Sequence, residues 1–202
     1  MRIATIGAGM IGSTLGRLWA DAGHEVRLSS RHPETIEVPG LPASSVDDAV
    51  AWAEVVLLAI PLGAVPRLSE SVKAALRDKV VVDANNAIPK REGAVVEAIA
   101  ASGEGSGRWT AAQLPGAHVV KAFNTVYFKN MVAAKGGERA IGVPVAADDA
   151  SAAEVVEVLV RDAGMTPVRV GDLASSARFD FGSPVWNSGG SAEEVRRDLG
   201  LP

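Results

Sequence analysis

Three glycines near the N-terminus have a spacing that could bind a dinucleotide. Residues 7–12 read GAGMIG, the pattern G-x-G-x-x-G, and they lie between an apolar run and a helical stretch. In that context Gly7 permits the tight turn, Gly9 lets a pyrophosphate approach the backbone, and Gly12 lets the helix pack closely on the strand. The alternative is a glycine-rich turn without a ligand. We expect cofactor contacts here at Gly7, Gly9, Met10, Ile11 and Gly12, with phosphates at the amides of the helix N-terminus.

The end of the second apolar run favours NADP(H) over NAD(H). Domains specific for NAD carry an acidic residue there, which binds the ribose hydroxyls, whereas this chain has SSRH at residues 29–32. A carboxylate would repel a 2′-phosphate, while a hydroxyl and a guanidinium donate hydrogen bonds to it. We therefore expect Ser30 and Arg31 to contact the phosphate, with His32 as a weaker candidate. Alternatively, Arg31 and His32 are solvated loop residues.

Later apolar runs end in residues that could face a nicotinamide. In an open α/β sheet, ligands lie outside the carboxyl ends of the strands, near the point where the strand order reverses. Ile60 and Pro61 could form an apolar wall against the ring. Asn85 and Asn124 could hydrogen-bond the carboxamide, the ribose or a hydride acceptor. Each asparagine could equally cap its own loop, which is a common role of this residue.

Proton donors are few, although the reduction of a carbonyl by hydride usually needs one. His24 and His118 fall at the opposite edge of the predicted sheet. Lys121 lies inside an apolar strand, where a buried ion pair with a carboxylate such as Asp83 explains it as well as catalysis does. This inventory favours an acceptor that takes hydride with little acid–base help from the protein. We assign no catalytic residue firmly; the candidates are Asn124 and Tyr127.

Composition excludes several classes of function. The 202 residues include 20 Lys plus Arg and 24 Asp plus Glu, and the net charge of −4 offers no general attraction to nucleic acid or anionic membranes. Cysteine is absent, and the three histidines are scattered without metal-ligand spacing, so we expect no metal site. We find no signal peptide and no apolar run near the roughly 18 residues that a membrane span needs. We expect a soluble cytoplasmic protein without a nucleic-acid or membrane partner.

Short apolar runs alternate with helical stretches along most of the chain, a pattern typical of repeated βαβ units. It predicts an α/β fold with a doubly wound, mostly parallel sheet, the Rossmann fold. A third strand is expected somewhere between residues 35 and 45. The other predicted strands are Ile3–Ile6, Val26–Leu28, Val55–Ile60, Val80–Val82, Val119–Phe123, Ala140–Val145 and Pro167–Val170.

Some boundaries can be predicted from local chemistry. The first helix is expected over 10–22, ending at Gly23, and a later one over 150–163. Residues 102–107 read SGEGSG, a composition that predicts a flexible loop. Ser191 and Glu194 have the spacing of a capping box, which predicts a short final helix.

The motifs assign residues 1–174 to an NADP-binding domain and leave residues 175–202 as a tail. Such a tail is too short for a helical substrate domain. We therefore expect the acceptor to be held by loops at the sheet edge, by the tail or by a partner subunit. That expectation favours a flat, cofactor-like acceptor in a shallow cleft.

Several segments together resemble the NADPH-dependent coenzyme F-420 reductases, the F-420:NADP oxidoreductases. The similarity runs from Met1 to about Ala177, and the segment VKAFNT is far more specific than the glycine motif. The segments VVDANN and GDLASS are also similar to the oxidoreductase domain of the six-transmembrane metalloreductases. The resemblance rests on residues 7–12, 30–31, 59–61, 81–86, 119–125, 143–149 and 171–176.

The resemblance implies a homodimer with NADPH on the glycine loop and a second ring cofactor, F-420 or a flavin, against the nicotinamide. It places Asn124 and Thr125 in the acceptor pocket and Ile60 and Pro61 in the loop beside it. After Ala177 the chain departs from the family, whose members continue with a hydrophobic dimer-forming helix.

The leading hypothesis is hydride transfer between NADP(H) and the deazaflavin coenzyme F-420. One alternative keeps NADPH and changes the acceptor to a flavin, a ferric chelate or a small imine or ketone. The other is a non-catalytic module that senses NADP(H), for which the glycine loop and Arg31 would suffice.

Overall fold

Eight strands form one sheet in the computed structural model, which describes residues 1–202. The strand order is β3-β2-β1-β4-β5-β6-β7-β8. The strands are β1 (Arg2–Ile6), β2 (Glu25–Ser29), β3 (Ala43–Ser44), β4 (Val55–Leu58), β5 (Val80–Asp83), β6 (His118–Lys121), β7 (Gly142–Ala147) and β8 (Thr166–Gly171).

Nine α-helices and three short 3-10 helices connect or flank the strands, and none of the helices has the length and apolarity needed to cross a membrane. The 3-10 helices are Pro33–Thr35, Leu62–Arg67 and Leu173–Arg178. The α-helices are α1 (Met10–Asp21), α2 (Val46–Trp52), α3 (Glu70–Ala75), α4 (Pro89–Glu92), α5 (Ala94–Ser102), α6 (Gly105–Gln113), α7 (Phe128–Lys135), α8 (Ala150–Asp162) and α9 (Ala192–Asp198).

The sheet topology confirms the predicted Rossmann class. Strands β1 to β6 pair in parallel, and their order 3-2-1-4-5-6 is that of the dinucleotide-binding domains. Only β7 runs antiparallel to its neighbour β6, and β8 then pairs with β7 in parallel. The strand order reverses between β1 and β4, so a ligand crevice is expected outside the carboxyl ends of these two strands.

The central strands are buried on both faces, as their continuous apolar sequences require. Ile3 packs with residues of α1 and α8, whereas Ala4 packs on the opposite face with residues of α2 and α3. Trp19 on α1 is fully buried, donates its indole N–H to the carbonyl of Leu159 at 2.8 Å and meets the ring of Phe123 edge-on at 5.8 Å. The first helix is therefore fixed on this face of the sheet, beside α8.

Residues 102–107 are not the flexible loop that their composition predicts. Helix α5 ends at Ser102, and α6 begins at Gly105 with Gly105, Ser106 and Gly107 buried. A side chain at Gly105 would collide with the backbone of Ala177, so this segment is glycine-rich because two backbones pack closely there. Composition alone does not separate that role of glycine from flexibility.

The tail packs against the end of the sheet, on β7 and β8. Phe179, Val185 and Leu199 are buried with Val168 of β8 in a small apolar cluster. The carboxylate of Asp180 accepts hydrogen bonds from the amide of Ser106 at 2.7 Å and from its hydroxyl at 2.5 Å. The tail thereby caps the start of α6, whose own N-cap residue forms no side-chain cap.

The predicted capping box is confirmed at the start of α9. The Ser191 hydroxyl accepts the amide of Glu194, and the Glu194 carboxylate accepts the amide of Ser191. The boundary expected at residue 174 falls inside the 3-10 helix Leu173–Arg178.

Candidate functional site

The glycine loop joins β1 to α1 at a point where no side chain fits. Gly7 has φ of +105°, and a Cβ there would collide with the carbonyl of Ala59, just after β4. A Cβ on Gly12 would in turn collide with the carbonyl of Gly7. These contacts hold the start of α1 close to the ends of β1 and β4, as the sequence predicts.

Gly9 has a different environment, because a Cβ built there meets nothing within 4 Å. Gly9 and Met10 are exposed and Ile11 is half-buried. Gly9 is the N-cap of α1 without a side-chain cap, and the first-turn amides of Met10, Ile11 and Gly12 have no acceptor in the protein. Open space beside unpaired amides at a helix N-terminus fits a pyrophosphate.

A cavity of about 720 Å³ opens beside this loop, at the carboxyl ends of β1, β2 and β4. It brings together five residues that the sequence selects for cofactor binding: Gly7, Ser30, Arg31, Ile60 and Pro61. His32, the weaker candidate, does not line it and lies 3.4 Å from the carboxylate of Glu34.

The cavity also holds charged residues that sequence reasoning missed. Arg67, at the end of the 3-10 helix after β4, lines it together with Arg31, and both guanidiniums are exposed and form no salt bridge. Asp47 lines it too, and its carboxylate accepts a hydrogen bond from the Ser71 hydroxyl at 2.5 Å. No local motif marks Arg67, because it reaches the cavity only through the fold of the β4 loop.

The two asparagines lie outside this cavity, and both are buried. The Oδ1 of Asn85 accepts the amide of Ile60 at 3.1 Å, and the Nδ2 of Asn124 donates to the carbonyl of Phe179 at 3.1 Å. Half of each side chain thus ties a segment distant in the chain in place, which is neither a contact with a ligand nor the local loop cap considered above. The other halves, Nδ2 of Asn85 and Oδ1 of Asn124, have no partner in the protein. A buried unpaired donor and acceptor fit the polar atoms of a carboxamide.

Tyr127 is the N-cap residue of α7 and is 44% exposed. Its ring lies 4.6 Å from that of Phe128, and its hydroxyl forms no hydrogen bond in the protein. The structure leaves this hydroxyl free to meet a ligand but does not bring it into the cavity beside the glycine loop.

The tail covers the loops that follow β5 and β6. The indole N–H of Trp186 donates to Oδ1 of Asn86 at 3.2 Å, and the amide of Asn187 donates to the carbonyl of Thr125 at 2.8 Å. Asn86 in turn donates to the carbonyl of Asn124 at 2.9 Å. Sequence reasoning did not identify these contacts, because the residues involved are far apart in the chain.

The other titratable candidates are occupied elsewhere. His24 lies 2.9 Å from Asp162, and His118, at the start of β6, lies 2.7 Å from Asp149. The predicted ion pair of Lys121 is confirmed: its Nζ lies 3.1 Å from Asp83, and both side chains are fully buried. No three His, Asp or Glu side chains come together in a way that could hold a metal ion.

Comparisons with known proteins agree with this geometry. Residues 2–87 match the model of the family described as NADP oxidoreductase, coenzyme F-420-dependent. The F-420-dependent NADP reductase of Methanothermobacter thermautotrophicus is 34% identical over 143 residues, which cover 62% of this chain and 62% of that protein. The chain therefore matches less than two thirds of the length of that relative.

Several solved structures are similar to this chain in fold. A candidate F-420-dependent NADP reductase of Arthrobacter sp. FB24 superposes with a TM-score of 0.77 at 25% identity, covering 100% of this chain and 96% of the other. The hypothetical protein SMa0349 of Sinorhizobium meliloti gives 0.77 at 28% identity, covering 95% and 93%. An imine reductase of Streptomyces aurantiacus superposes with a TM-score of 0.63 at 17% identity, covering 88% of this chain and 58% of the reductase, and shares the fold alone.

Glu92 supports the loop after β4, and nothing in the sequence indicates this role. Its carboxylate, only 3% exposed, accepts the amide of Leu62 at 3.1 Å and that of Gly63 at 2.8 Å. Burial alone would raise the pKa of Glu92, but the hydrogen bonds from Gly63, Arg91 and Leu62 outweigh it and hold this pKa below its ordinary value.

We predict that Glu92→Gln lowers the free energy of unfolding at about pH 7 by roughly 1.5 kcal/mol, because the amide keeps only one acceptor oxygen: hydrogen bonds at that oxygen lose their charged acceptor, and those at the other position are lost. A carboxyl with a lowered pKa stabilises the fold above its unfolded-state pKa, and this contribution is lost as the pH falls through the folded-state pKa. The difference between variant and wild type should therefore shrink on acidification below about pH 4.5. Urea unfolding across pH measures it.

The exposed Glu97 on α5 provides the control. Glu97→Gln should change stability little at any pH. A Glu92→Gln deficit that persists unchanged in acid would contradict the role of the carboxylate charge.

Proposed function

We propose that this protein binds NADP(H) and transfers hydride between it and the deazaflavin coenzyme F-420. The observation that carries the proposal is the cavity at the ends of β1, β2 and β4, where the glycine loop meets two unpaired guanidiniums. Phosphates need both features, because free amides take the pyrophosphate and a guanidinium takes a 2′-phosphate.

Each part of the cofactor would have its own residues. The amides of Met10 and Ile11 face the pyrophosphate beside the open Cβ position of Gly9, and Ser30, Arg31 and Arg67 hold the 2′-phosphate. Ile60 and Pro61 form the apolar wall of the nicotinamide end. The unpaired amide atoms of Asn85 and Asn124 give that end a buried donor and acceptor. When bound, NADPH supplies the hydride.

The histidine and lysine candidates for acid–base catalysis are already paired with carboxylates, which supports a deazaflavin ring as the hydride acceptor. His24, His118 and Lys121 each have a carboxylate partner, and the two histidines lie at the far edge of the sheet. Hydride transfer from NADPH to the deazaflavin also consumes one proton, which water can supply, so the reaction leaves NADP⁺ and the reduced deazaflavin without a dedicated protein acid. Relatives named for F-420-dependent reduction of NADP support the same acceptor.

The family resemblance also leads us to propose a homodimer that acts in the cytoplasm, with the tail contributing to the acceptor site or to the dimer. The contacts of Trp186 with Asn86 and of Asn187 with Thr125 support the first role of the tail.

We predict that Gly9→Ala weakens NADPH binding at least about tenfold, because a methyl group would occupy the space where the pyrophosphate approaches. The fold should lose no more than about 1 kcal/mol, since the new Cβ meets no protein atom. Gly136→Ala is a matched control, because Gly136 caps α7 with the same φ of −73° away from the cavity. Calorimetry and thermal unfolding measure both effects; unchanged NADPH affinity would contradict the site.

We predict that Arg31→Leu weakens NADPH binding by about tenfold to hundredfold and barely changes NADH binding, because only NADPH carries the 2′-phosphate. Arg67→Leu should act in the same direction, since both guanidiniums line the cavity. Arg196→Leu, on the exposed face of α9, controls for the loss of a surface charge. Equal losses for NADPH and NADH would refute the phosphate assignment.

The acceptor is tested by NADPH oxidation with purified protein and a panel of coenzyme F-420, free flavins, ferric chelates and cyclic imines. We expect turnover with coenzyme F-420. Turnover with another acceptor alone would replace that part of the proposal. Tight NADPH binding without turnover of any acceptor would indicate a sensing module instead of an enzyme.

A further inference from the structure

A buried ion pair lies at the ends of two neighbouring strands, beside the proposed nicotinamide end. Asp83 ends β5 and Lys121 ends β6, and the two residues are direct neighbours in the parallel register. Their side chains are fully buried. The Nζ of Lys121 donates to Oδ2 of Asp83 at 3.1 Å and to the backbone carbonyl of Asn85 at 2.6 Å.

The other carboxylate oxygen of Asp83 completes a clamp on Asn85. Oδ1 of Asp83 accepts the backbone amide of Asn85 at 3.0 Å, while Lys121 holds the carbonyl of the same residue. Both polar backbone groups of Asn85 are thus bound by the two members of one ion pair. Its side chain then accepts the amide of Ile60 at 3.1 Å, which links the clamp to the loop after β4.

Stability alone does not explain this arrangement. Burial of two charges carries a desolvation penalty that their mutual attraction often fails to offset. Replacing a buried ion pair with a well-packed apolar pair of similar size is therefore often neutral or stabilising. The face of the sheet that carries the pair is apolar, since Val81 and Val119, two residues before Asp83 and Lys121, are buried in the cluster on that face. Gly107 leaves room for the lysine, because a Cβ there would lie 3.2 Å from that of Lys121. An apolar pair would fill the space but could not bind the amide and carbonyl of Asn85.

We propose that Lys121 and Asp83 are positioning residues for hydride transfer: they fix Asn85, and Asn85 fixes Ile60 at the nicotinamide end of the site. The inference rests on the proposed function, because a fixed Ile60 matters only if it positions the nicotinamide ring of the cofactor. The adenosine end is held by Ser30, Arg31 and Arg67, none of which contacts the clamp. Loss of the clamp should therefore act on one end of the cofactor.

The test replaces the pair as a unit, with Lys121→Met and Asp83→Leu combined. Each single change leaves a buried charge unpaired and is expected to unfold the protein. The double variant keeps the space filled. If the two charges only compensate each other, this variant should therefore fold, bind NADPH and turn over as the wild type does. Asn85→Ala leaves the ion pair in place and breaks the last link to Ile60. Arg169→Met with Glu157→Leu is the control, an ion pair of 2.6 Å elsewhere on the molecule.

We expect the affinity for 2′,5′-ADP, which contains only the adenosine end, to stay within about twofold of wild type in the double variant and in Asn85→Ala. The kcat with coenzyme F-420 should fall by roughly tenfold to a hundredfold, as displacement of a reacting group by about 1 Å can cost. Calorimetry of 2′,5′-ADP and NADPH separates the two ends, and NADPH should lose more affinity than 2′,5′-ADP.

Hydrogen exchange at the Ile60 amide gives a readout that needs no ligand. Faster exchange is expected in both variants, because Asn85→Ala removes the acceptor of the Ile60 amide and the double variant leaves that acceptor without its support. Ile60 exchange at the wild-type rate in the variants would overturn the positioning role even if the proposed function holds. A wild-type kcat together with a wild-type ratio of NADPH to 2′,5′-ADP affinity would also overturn it. If the wild type binds neither nucleotide, the proposed function fails and Ile60 exchange alone decides on the clamp. If the double variant does not fold, Asn85→Ala decides.

Discussion

The close backbone contact between Gly7, Gly12 and Ala59 is the constraint on which the cofactor end depends. The amide of Gly7 donates to the carbonyl of Ser29 at 3.0 Å, and the amide of Ala59 donates to the carbonyl of Ile6 at 2.9 Å. The ends of β1, β2 and β4 are therefore joined at one point, from which α1 begins. Because Ser30 directly follows Ser29 and Ile60 directly follows Ala59, the residues that we propose for both ends of the dinucleotide extend from that point.

The two ends of the proposed cofactor site are supported by different physical means. At the adenosine end, glycines allow backbones to approach, and the polar groups offered to a ligand are exposed. At the nicotinamide end, the loop of residues 60–63 is held by the buried carboxylate of Glu92 and by the side chain of Asn85. A buried polar group is costly unless it is fully bonded, so these contacts fix a single loop conformation. Such rigidity suits an end where reacting atoms must be placed accurately.

The parts of the site that the sequence predicts are those with local causes. The glycine loop and Ser30-Arg31 follow directly from β1 and β2, so their spacing along the chain carries the information. Arg67 and Glu92 were missed because each depends on the tertiary path of a loop: Glu92 binds amides some thirty residues earlier. Gly105 and Gly107 were misinterpreted for the same reason, since their packing partners Ala177 and Ser176 are distant in the chain.

Strand ends show the same limit. Apolar runs predict β4 to Ile60 and β6 to Phe123, whereas the strands end at Leu58 and Lys121. Phe123 has φ of +65°, a left-handed conformation that a strand cannot continue, and yet it is fully apolar and buried. At both places the chain stays at least half-buried beyond the last residue of the strand, so hydrophobicity alone places the ends of β4 and β6 too late.

The residues that line the cavity beside the glycine loop and the residues that the tail contacts come from different parts of the chain. No residue after Val72 lines the cavity beside the glycine loop, whereas Phe179, Trp186 and Asn187 all bind residues after β5 or β6. The family match covers residues 2–87 and so includes every residue of that cavity but none of the tail. The proposed contacts to the adenosine end and the contacts of the tail therefore involve different residues, and the two sets approach each other only at the nicotinamide end, where Asn124 binds Phe179. In the proposed site, a change of acceptor would come from the tail and the β6 loop while the phosphate contacts of NADP(H) stayed as they are.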